Sequence, residues 1–334
     1  MNLSVHLFQP EDLLACVGLL QAGHDPAFSS ARFTWLHQQA PLGPSAIAVC
    51  TDGSRVVGVY SVIRKTLRLG ERSFVGGRDV DPVVHPDYRG RGIFSRLLRF
   101  GLENFEGIDV YFNFANKVSA PGFRRQGWRD AGPIEDRVCQ LGFRSPLSRD
   151  FLIWLGSGAI VSPRPSADAR ELTADEVEAL LTRADLAPDS FAVYPPPARL
   201  WVERSSAYLR WRYLKNPQTG YRWFAHGAAG AEESVAICRH DPVKNRLTVL
   251  DVLGFGRAPN LALWLPLWRR LFPGAWVGVW STMPVSSRRG FIANPLRRGQ
   301  GHPLLVRSFP RGDLPSTIHR PDGWFLTHGD LEVA

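Results

Sequence analysis

The residues best placed to do chemistry lie between positions 79 and 94. Asp79 and Asp81 are two apart in a run from Asp79 to Val84 that reads as extended. Alternation along a strand would put both carboxylates on one face. Two close carboxylates raise each other's affinity for protons, which suits a base working near neutral pH. Pairing with Arg78, or capping of the strand end, is the competing reading. The strand stops at His85-Pro86. Arg89-Gly90-Arg91-Gly92-Ile93-Phe94 follows, and from Gly92 to Phe105 the residues Phe94, Leu97, Leu98, Gly101, Leu102 and Phe105 recur at helical spacing. A helix N-terminus leaves backbone N–H groups without partners and carries partial positive charge. Glycines let the backbone come close to an anion, and two arginines add bidentate donors. Together they make a cradle for a pyrophosphate. Taken by itself the loop fits a ligand-free basic turn equally well.

The elements around this segment must hold it. Val5 to Leu7 predicts a short strand and Glu11 to Leu20 a helix. Ile47–Cys50 and Val56–Ile63 flank Asp52-Gly53, a hairpin turn; Leu67–Leu69 and Phe74-Val75 flank Gly70-Glu71, a second one. Val110 to Phe114 predicts a strand, and Lys117 to Arg125 a short helix weakened by Pro121-Gly122. Strand, helix, antiparallel strands, helix, strand, helix is a mixed α/β layer architecture.

This pattern resembles the GNAT acyltransferase superfamily. The resemblance rests on Arg89, Gly92 and the residue at 94, on the lead-in Val84-His85-Pro86-Asp87-Tyr88, and on Asn116 followed by Gly127-Trp128. It covers residues 1–130. It implies acetyl-CoA or another acyl-CoA as co-substrate. Val84 would face the pantetheine with its backbone. Arg89, Gly90, Arg91, Gly92, Ile93, Phe94 and Ser95 would face the phosphates, and Asn116 the far end of the coenzyme. The base would be Asp79 or Asp81; the spacing does not choose. Two residues depart from the family's pattern. Phe94 replaces a small residue, so its side chain must turn into the core. Phe123 stands where many members carry a proton-donating tyrosine. Tyr88 and Tyr111 are possible substitutes, although packing roles suit them better, and a turn role suits His85.

The chain has 334 residues, enough for two domains. Ala31, Trp35 and Pro41 recur as Ala207, Trp211 and Pro217 at a constant offset of 176, and Gly127-Trp128 is echoed by Gly290-Phe291. The expected organisation is a GNAT acyl-CoA-binding domain at 1–157, a linker at 158–169 and a degenerate GNAT-like domain at 170–334. Each domain would be a mixed, mostly antiparallel sheet flanked by helices. The second copy of the loop, Gly254 to Asn260, has one arginine and a proline that removes a donor, so it is expected to hold no coenzyme. Trp35, Trp211 and the cluster Trp264, Trp268, Trp276 and Trp280 are expected in cores, and Arg288-Arg289 on a solvated basic face.

Composition narrows the function. Hydrophobic residues make up 44% and charged residues 21%, ordinary for a soluble globular protein. No apolar run approaches the ~20 residues of a membrane span, and Met1 to Glu11 lack a secretory signal's pattern. Cys16, Cys50, Cys139 and Cys238 have no CxxC spacing, which predicts free thiols in a cytoplasmic protein with no zinc site. The net charge is +9, from a basic set with only four lysines. Such a charge attracts phosphorylated partners, but the arginines form no dense run, which argues against nucleic acid. The leading expectation is an N-acyltransferase acting on the primary amine of a small molecule, such as an amino sugar or secondary metabolite. The alternatives are a tandem transferase using aminoacyl-tRNA, against which the coenzyme loop argues, and a non-catalytic module that senses acyl-CoA, which Phe123 favours. Oligomeric state is not readable from the sequence.

Overall fold

A computed structural model describes residues 2–142, 168–186, 198–218, 220–255, 259–283, 291–293, 301–309 and 314–331. The chain divides into two compact units. The first comprises residues 1–132, 214–218 and 303–321, and the second residues 133–213, 219–302 and 322–334. Most of the expected linker, 158–167, lies outside the described residues, as do Gly156 and Arg288 to Gly290.

The first unit opens with β1 (Leu3–Leu7), α1 (Leu13–Gly23) and α2 (Ser30–Gln38). Ser29 starts α2 by accepting a hydrogen bond from Arg32 N–H (3.1 Å), the usual role of an N-cap serine. The sequence reading did not single out α2; Trp35 lies within it, 2% exposed. The predicted hairpins are β2 (Ala46–Asp52), β3 (Arg55–Leu69) and β4 (Arg72–Val84). Then come α3 (Ile93–Asn104), β5 (Val110–Phe114), α4 (Ala120–Arg125) and β6 (Arg129–Ile134). One apolar cluster joins α3 and α4 to the sheet through Tyr60, Leu97, Leu98, Phe123 and Trp128. A second joins α1 and α2 to it through Leu20, Phe33, Val59 and Val83. Each fully buried leucine contributes about 1.5–3 kcal/mol relative to leaving it exposed.

The sheet order is β1-β2-β3-β4-β5, then β15 (His302–Ser308), then β6. β4 and β5 are parallel and pair at three positions, Gly76↔Val110, Gly77↔Tyr111 and Arg78↔Phe112. Beyond Arg78 no further pair joins them, although β4 runs on to Val84. In that stretch β4 also bulges against β3: Val59 pairs with Val83, but Ser61 pairs with Val80. One extra residue therefore sits in β4, and Asp81 takes a left-handed φ of 47°.

The second unit repeats the plan. After β7 (Asp136–Gln140) come β8 (Ala169–Glu171), α5 (Ala174–Leu186), β9 (Leu200–Val202) and α6 (Ser206–Leu209), which continues as a π turn over Arg210–Leu214. The rest is β10 (Tyr221–Ala228), β11 (Ala231–Asp241), β12 (Arg246–Gly254), α7 (Leu265–Leu271), β13 (Trp276–Trp280), β14 (Ile292–Ala293) and β16 (Trp324–Phe325), which pairs with β9. Its sheet order is β8-β10-β11-β12-β13-β7-β14. Ser205 caps α6 through Tyr208 N–H (3.2 Å), as Ser29 caps α2 at the offset of 176. β12 and β13 are again parallel with three pairs, the last being Thr248↔Gly278. Again the first of the two carries an extra residue, since Ile237 pairs with Asp251 but Cys238 with Val249. Each sheet also takes one strand from the other half of the sequence: β15 lies beside β5, and β7 beside β13. The architecture is mixed α/β with two mostly antiparallel sheets, as expected. All four cysteines are buried and unlinked. Trp264, Trp268 and Trp280 are core residues, whereas Trp276 is only half-buried. Among the described residues no helix is long and apolar enough to cross a membrane.

Asp251 organises the second unit. It is 1% exposed and accepts from Arg204 Nε (2.9 Å), from the Thr327 hydroxyl and from Tyr213 OH. Arg204 also meets Asp330 at 2.9 Å. Removing one partner of a buried pair leaves the other charge uncompensated, so Asp251→Ala should cost about 3–5 kcal/mol. Urea unfolding of the full chain checks this; a loss under ~1 kcal/mol, the size of a surface pair, would show that Arg204 and Asp330 suffice without it.

Candidate active site

The loop between β4 and α3 takes the form the sequence predicts. Pro86–Tyr88 make a single 3-10 turn. Gly90 and Gly92 then adopt φ values of 77° and 75°, left-handed conformations that favour glycine. Gly92 is the N-cap of α3 and supplies no side chain to cap it. The first helical bond runs from Arg96 N–H to Gly92 C=O (3.1 Å), so the N–H groups of Ile93, Phe94 and Ser95 precede the ladder. Arg89 and Arg91 are exposed. Arg89 Nε donates to the Val84 carbonyl at 3.4 Å, and the Arg91 guanidinium lies over the Tyr88 ring at 5.3 Å. Tyr88 is itself tied to the β2–β3 turn, its hydroxyl donating to Asp52 Oδ2 at 3.1 Å. His85 sits 2.8 Å from an Arg55 donor, a turn role. The result is an exposed, positive, uncapped helix start next to the end of β4.

Asn116 follows β5 and closes the turn that leads into α4, whose N-cap is Ser119. Its Oδ1 accepts from the N–H groups of Val118 and Ser119, both at 2.9 Å. Phe94 does turn inward, and its ring meets Phe123 edge to face at 5.2 Å and 88°. Phe123 in turn touches Trp128 at 5.3 Å. A Cβ at Gly122 would collide with the Phe94 ring, so a glycine is needed there. The two departures from the family's pattern are thus one packing unit: the large residue at 94 is accommodated by an apolar ring at 123.

Asp79 and Asp81 are not on one face, which corrects the expectation from strand alternation. The extra residue in β4 reverses the phase between them. Asp79 faces the α3/α4 side, where it accepts from Tyr60 OH and from Trp128 Nε1 (3.2 Å). Arg78 reaches Asn113 Oδ1 (3.0 Å) and the Asp79 carbonyl. Asp81 faces the α1/α2 side, with Oδ1 3.1 Å from His24 Nε2. Its Oδ2 is buried with no hydrogen-bond partner. The mutual repulsion expected of a carboxylate pair is therefore absent from the causes of either shift. Burial lifts the Asp79 carboxyl to about 7, against the lowering pull of Tyr60, Arg78 and Trp128. Burial also pushes Asp81 up, but its bond to His24, with the charges of His24, His37 and Arg32, holds it below the ordinary carboxylate range. Tyr111 is buried, with its hydroxyl unpartnered and its pKa raised by burial and by Asp79.

His24 was missed by the sequence reading. It ends α1, 57 positions before Asp81, and no local spacing links the two. Trp128 was noticed as part of a family block, but its bond to Asp79 was not foreseeable.

The raised Asp79 has a consequence for stability. Its folded pKa lies above its unfolded value, so the folded state holds the proton more tightly. Its stabilising contribution is present at low pH and is lost as pH rises through about 7. Asp79→Asn should therefore lose less stability than the parent between pH 5 and pH 8. Urea midpoints of both proteins at the two pH values measure this; equal drops would mean that Asp79 ionises without penalty.

Residues 6–131 match the family described as acetyltransferase (GNAT) domain. No curated protein matches the sequence. Among solved structures, the chain is similar to a GCN5-related N-acetyltransferase from Kribbella flavida (TM-score 0.59, 15% identity, covering 92% of this chain and 71% of that one). It is also similar to an Enterococcus faecalis V583 protein of unknown function described as a probable N-acyltransferase (0.62, 10%, 92% and 73%). A GCN5-related N-acetyltransferase from Anabaena variabilis ATCC 29413 gives 0.63, 11%, 92% and 73%. At these identities the likeness is one of fold. The family match, together with the geometry of the loop, gives a GNAT acetyltransferase domain at residues 6–131.

Proposed function

We propose that this protein transfers an acyl group, acetyl first among them, from acyl-CoA to the primary amine of a small molecule. The observation that carries this reading is the uncapped start of α3 behind left-handed Gly90 and Gly92, next to the point where β4 and β5 part. The N–H groups of Ile93, Phe94 and Ser95 with Arg89 and Arg91 would hold the coenzyme's pyrophosphate. The backbone of β4 near Val84 has no β5 partner, so it would take the pantetheine, and Asn116 would border the far end. Thioester aminolysis then needs the nucleophile neutral, so a group must accept its proton. Asp79 and Asp81 are the candidates on β4, and their separation gives them different work. Asp79, sealed under Tyr60 and Trp128, would set the field at the site. Asp81, on the opposite face, would belong to the acceptor side.

Phe123 favours a second reading, a module that binds acyl-CoA without turnover. A buried phenyl ring cannot protonate a leaving thiolate. Free-thiol release from acetyl-CoA with a panel of primary amines separates the two.

The second unit supports a single coenzyme per chain. The helical turn after β12 is capped by its own residue, Asn260, whose Oδ1 accepts from Ala262 N–H (3.1 Å). Pro259 removes a further donor. Calorimetric titration with acetyl-CoA should therefore give one site. Arg89→Ala combined with Gly92→Asp should abolish it, because the new carboxylate would meet the pyrophosphate. A stoichiometry of two, or unchanged binding by the folded double variant, would overturn this assignment.

A further inference from the structure

The second unit supplies an internal comparison for Asp81. Asp81 lies three residues beyond Arg78, the last β4 residue paired with β5. Asp251 lies three residues beyond Thr248, the last β12 residue paired with β13. Both lie at the bulge of their strand, so they are corresponding positions in two copies. Their surroundings differ. Both oxygens of Asp251 are occupied, by Arg204 and Thr327 on one side and Tyr213 on the other, a structural arrangement. Asp81 instead holds a histidine and leaves Oδ2 buried without a partner. A carboxylate kept only to pin the bulge would gain by having both oxygens satisfied, as Asp251 does.

The histidine is not sealed. The His24 side chain is 42% exposed while that of Asp81 is 2% exposed. An ionised carboxylate only accepts, so the proton between them belongs to His24 Nε2, and Nδ1 carries the free lone pair. By contrast His37, also near Asp81, is fully buried, lies 3.2 Å from the Ser45 hydroxyl, and has its pKa pushed down to about 4 by burial. Only one of the two histidines can meet a substrate. The charged groups acting on His24 are Asp81 from β4, Asp25 beside it in the chain and Arg32 from α2, while the titratable His37 of α2 acts on Asp81. The bond to Asp81 raises the His24 pKa most, burial opposes it, and Asp25 and Arg32 act in opposite directions.

We propose that His24 and Asp81 form the proton-accepting dyad of the acyl transfer, with His24 Nδ1 as the base and Asp81 as the positioning residue that fixes its ring and tautomer. This rests on the transferase reading above. The acceptor arrives as an ammonium ion, and His24 Nδ1 takes one proton, leaving a nitrogen lone pair. That pair forms the C–N bond at the thioester carbonyl. The C–S bond then breaks with its electrons going to sulfur. The nitrogen's second proton passes to the thiolate through solvent, so no side-chain acid is needed where Phe123 stands. The imidazolium finally releases its proton to water. The products are an amide, free coenzyme thiol and one proton.

The test uses the full chain with acetyl-CoA, following thiol release with benzylamine, spermidine and glucosamine, and separately with hydroxylamine, which is already neutral at pH 7. His24→Gln keeps a donor for Asp81 but cannot act as a base. It should bind acetyl-CoA like the parent and lose about 10²–10⁴-fold in turnover of the basic amines at pH 7, the range for base removal. It should keep most of its turnover of hydroxylamine and regain activity as pH rises. Asp81→Asn should move the acid limb of the pH–kcat/KM profile to lower pH and lower the His24 pKa read by NMR. A His24→Gln protein with the parent's turnover and acid limb would overturn the dyad while leaving the transferase intact. Equal losses for hydroxylamine and the basic amines would also overturn it, pointing to a structural role. No thiol release from the parent with any amine would overturn the transferase reading itself, and the dyad with it.

Discussion

The single extra residue in β4 governs the geometry of the first unit. A strand shows its side chains to alternate faces, and one inserted residue reverses that order for everything after it. Asp79 is thereby delivered to the α3/α4 core and Asp81 to the α1/α2 side, two positions apart in sequence but on opposite faces of the sheet. The same stretch is where β4 has already lost β5 as a partner. Backbone groups freed from the ladder, a reversed side-chain phase and a left-handed Asp81 all fall within a few residues. The loop from His85 to Gly92 begins where this stretch ends. β12 repeats the device in the second unit, with Asp251 at the corresponding place.

The chemistry of the two aspartates follows from what each face supplies. On the α3/α4 side Asp79 meets hydroxyl and indole donors in a fully buried place, and burial dominates. On the other face His24 and Arg32 bring positive charge, and the carboxylate stays ionised despite burial. Aromatic packing around Phe94, Phe123 and Trp128 walls off the first environment. A phenyl ring at 94 needs an apolar neighbour, so the absence of a tyrosine at 123 is the packing counterpart of the change in the loop.

What the sequence made legible was local. The loop from Arg89 to Phe94, β5 at Val110–Phe114 and the hairpins around Asp52-Gly53 and Gly70-Glu71 carry their signals within a few residues, in glycines and in periodicity. The bulge was harder. Strict alternation was the natural assumption for Asp79 to Val84, and the one warning was Pro82, since proline inside a sheet is confined to edges, strand starts and bulges. α2 was overlooked because its apolar residues are interspersed with Arg32, Thr34 and His37, although Ser29 marked its start and Ser205 repeated the mark. His24 could not have been paired with Asp81 without the fold. The role of Asp251 was equally hidden, since Arg204, Tyr213 and Thr327 come from three distant segments.

The exchange of strands between the halves constrains how the chain can be made. The first sheet is not complete after residue 134, because the place between β5 and β6 belongs to β15, residues 302–308. During synthesis the β5 edge stays open while more than half of the chain is still to come. An unpaired strand edge of this kind invites association with other chains, and pairings so distant in sequence form slowly. The same wiring interleaves the two halves of the sequence. A cut anywhere in the middle would yield two fragments that each lack a strand and hold one belonging to the other. Such fragments would find their own missing strand in each other, so complementation between them, rather than independent folding, is the behaviour this topology encodes.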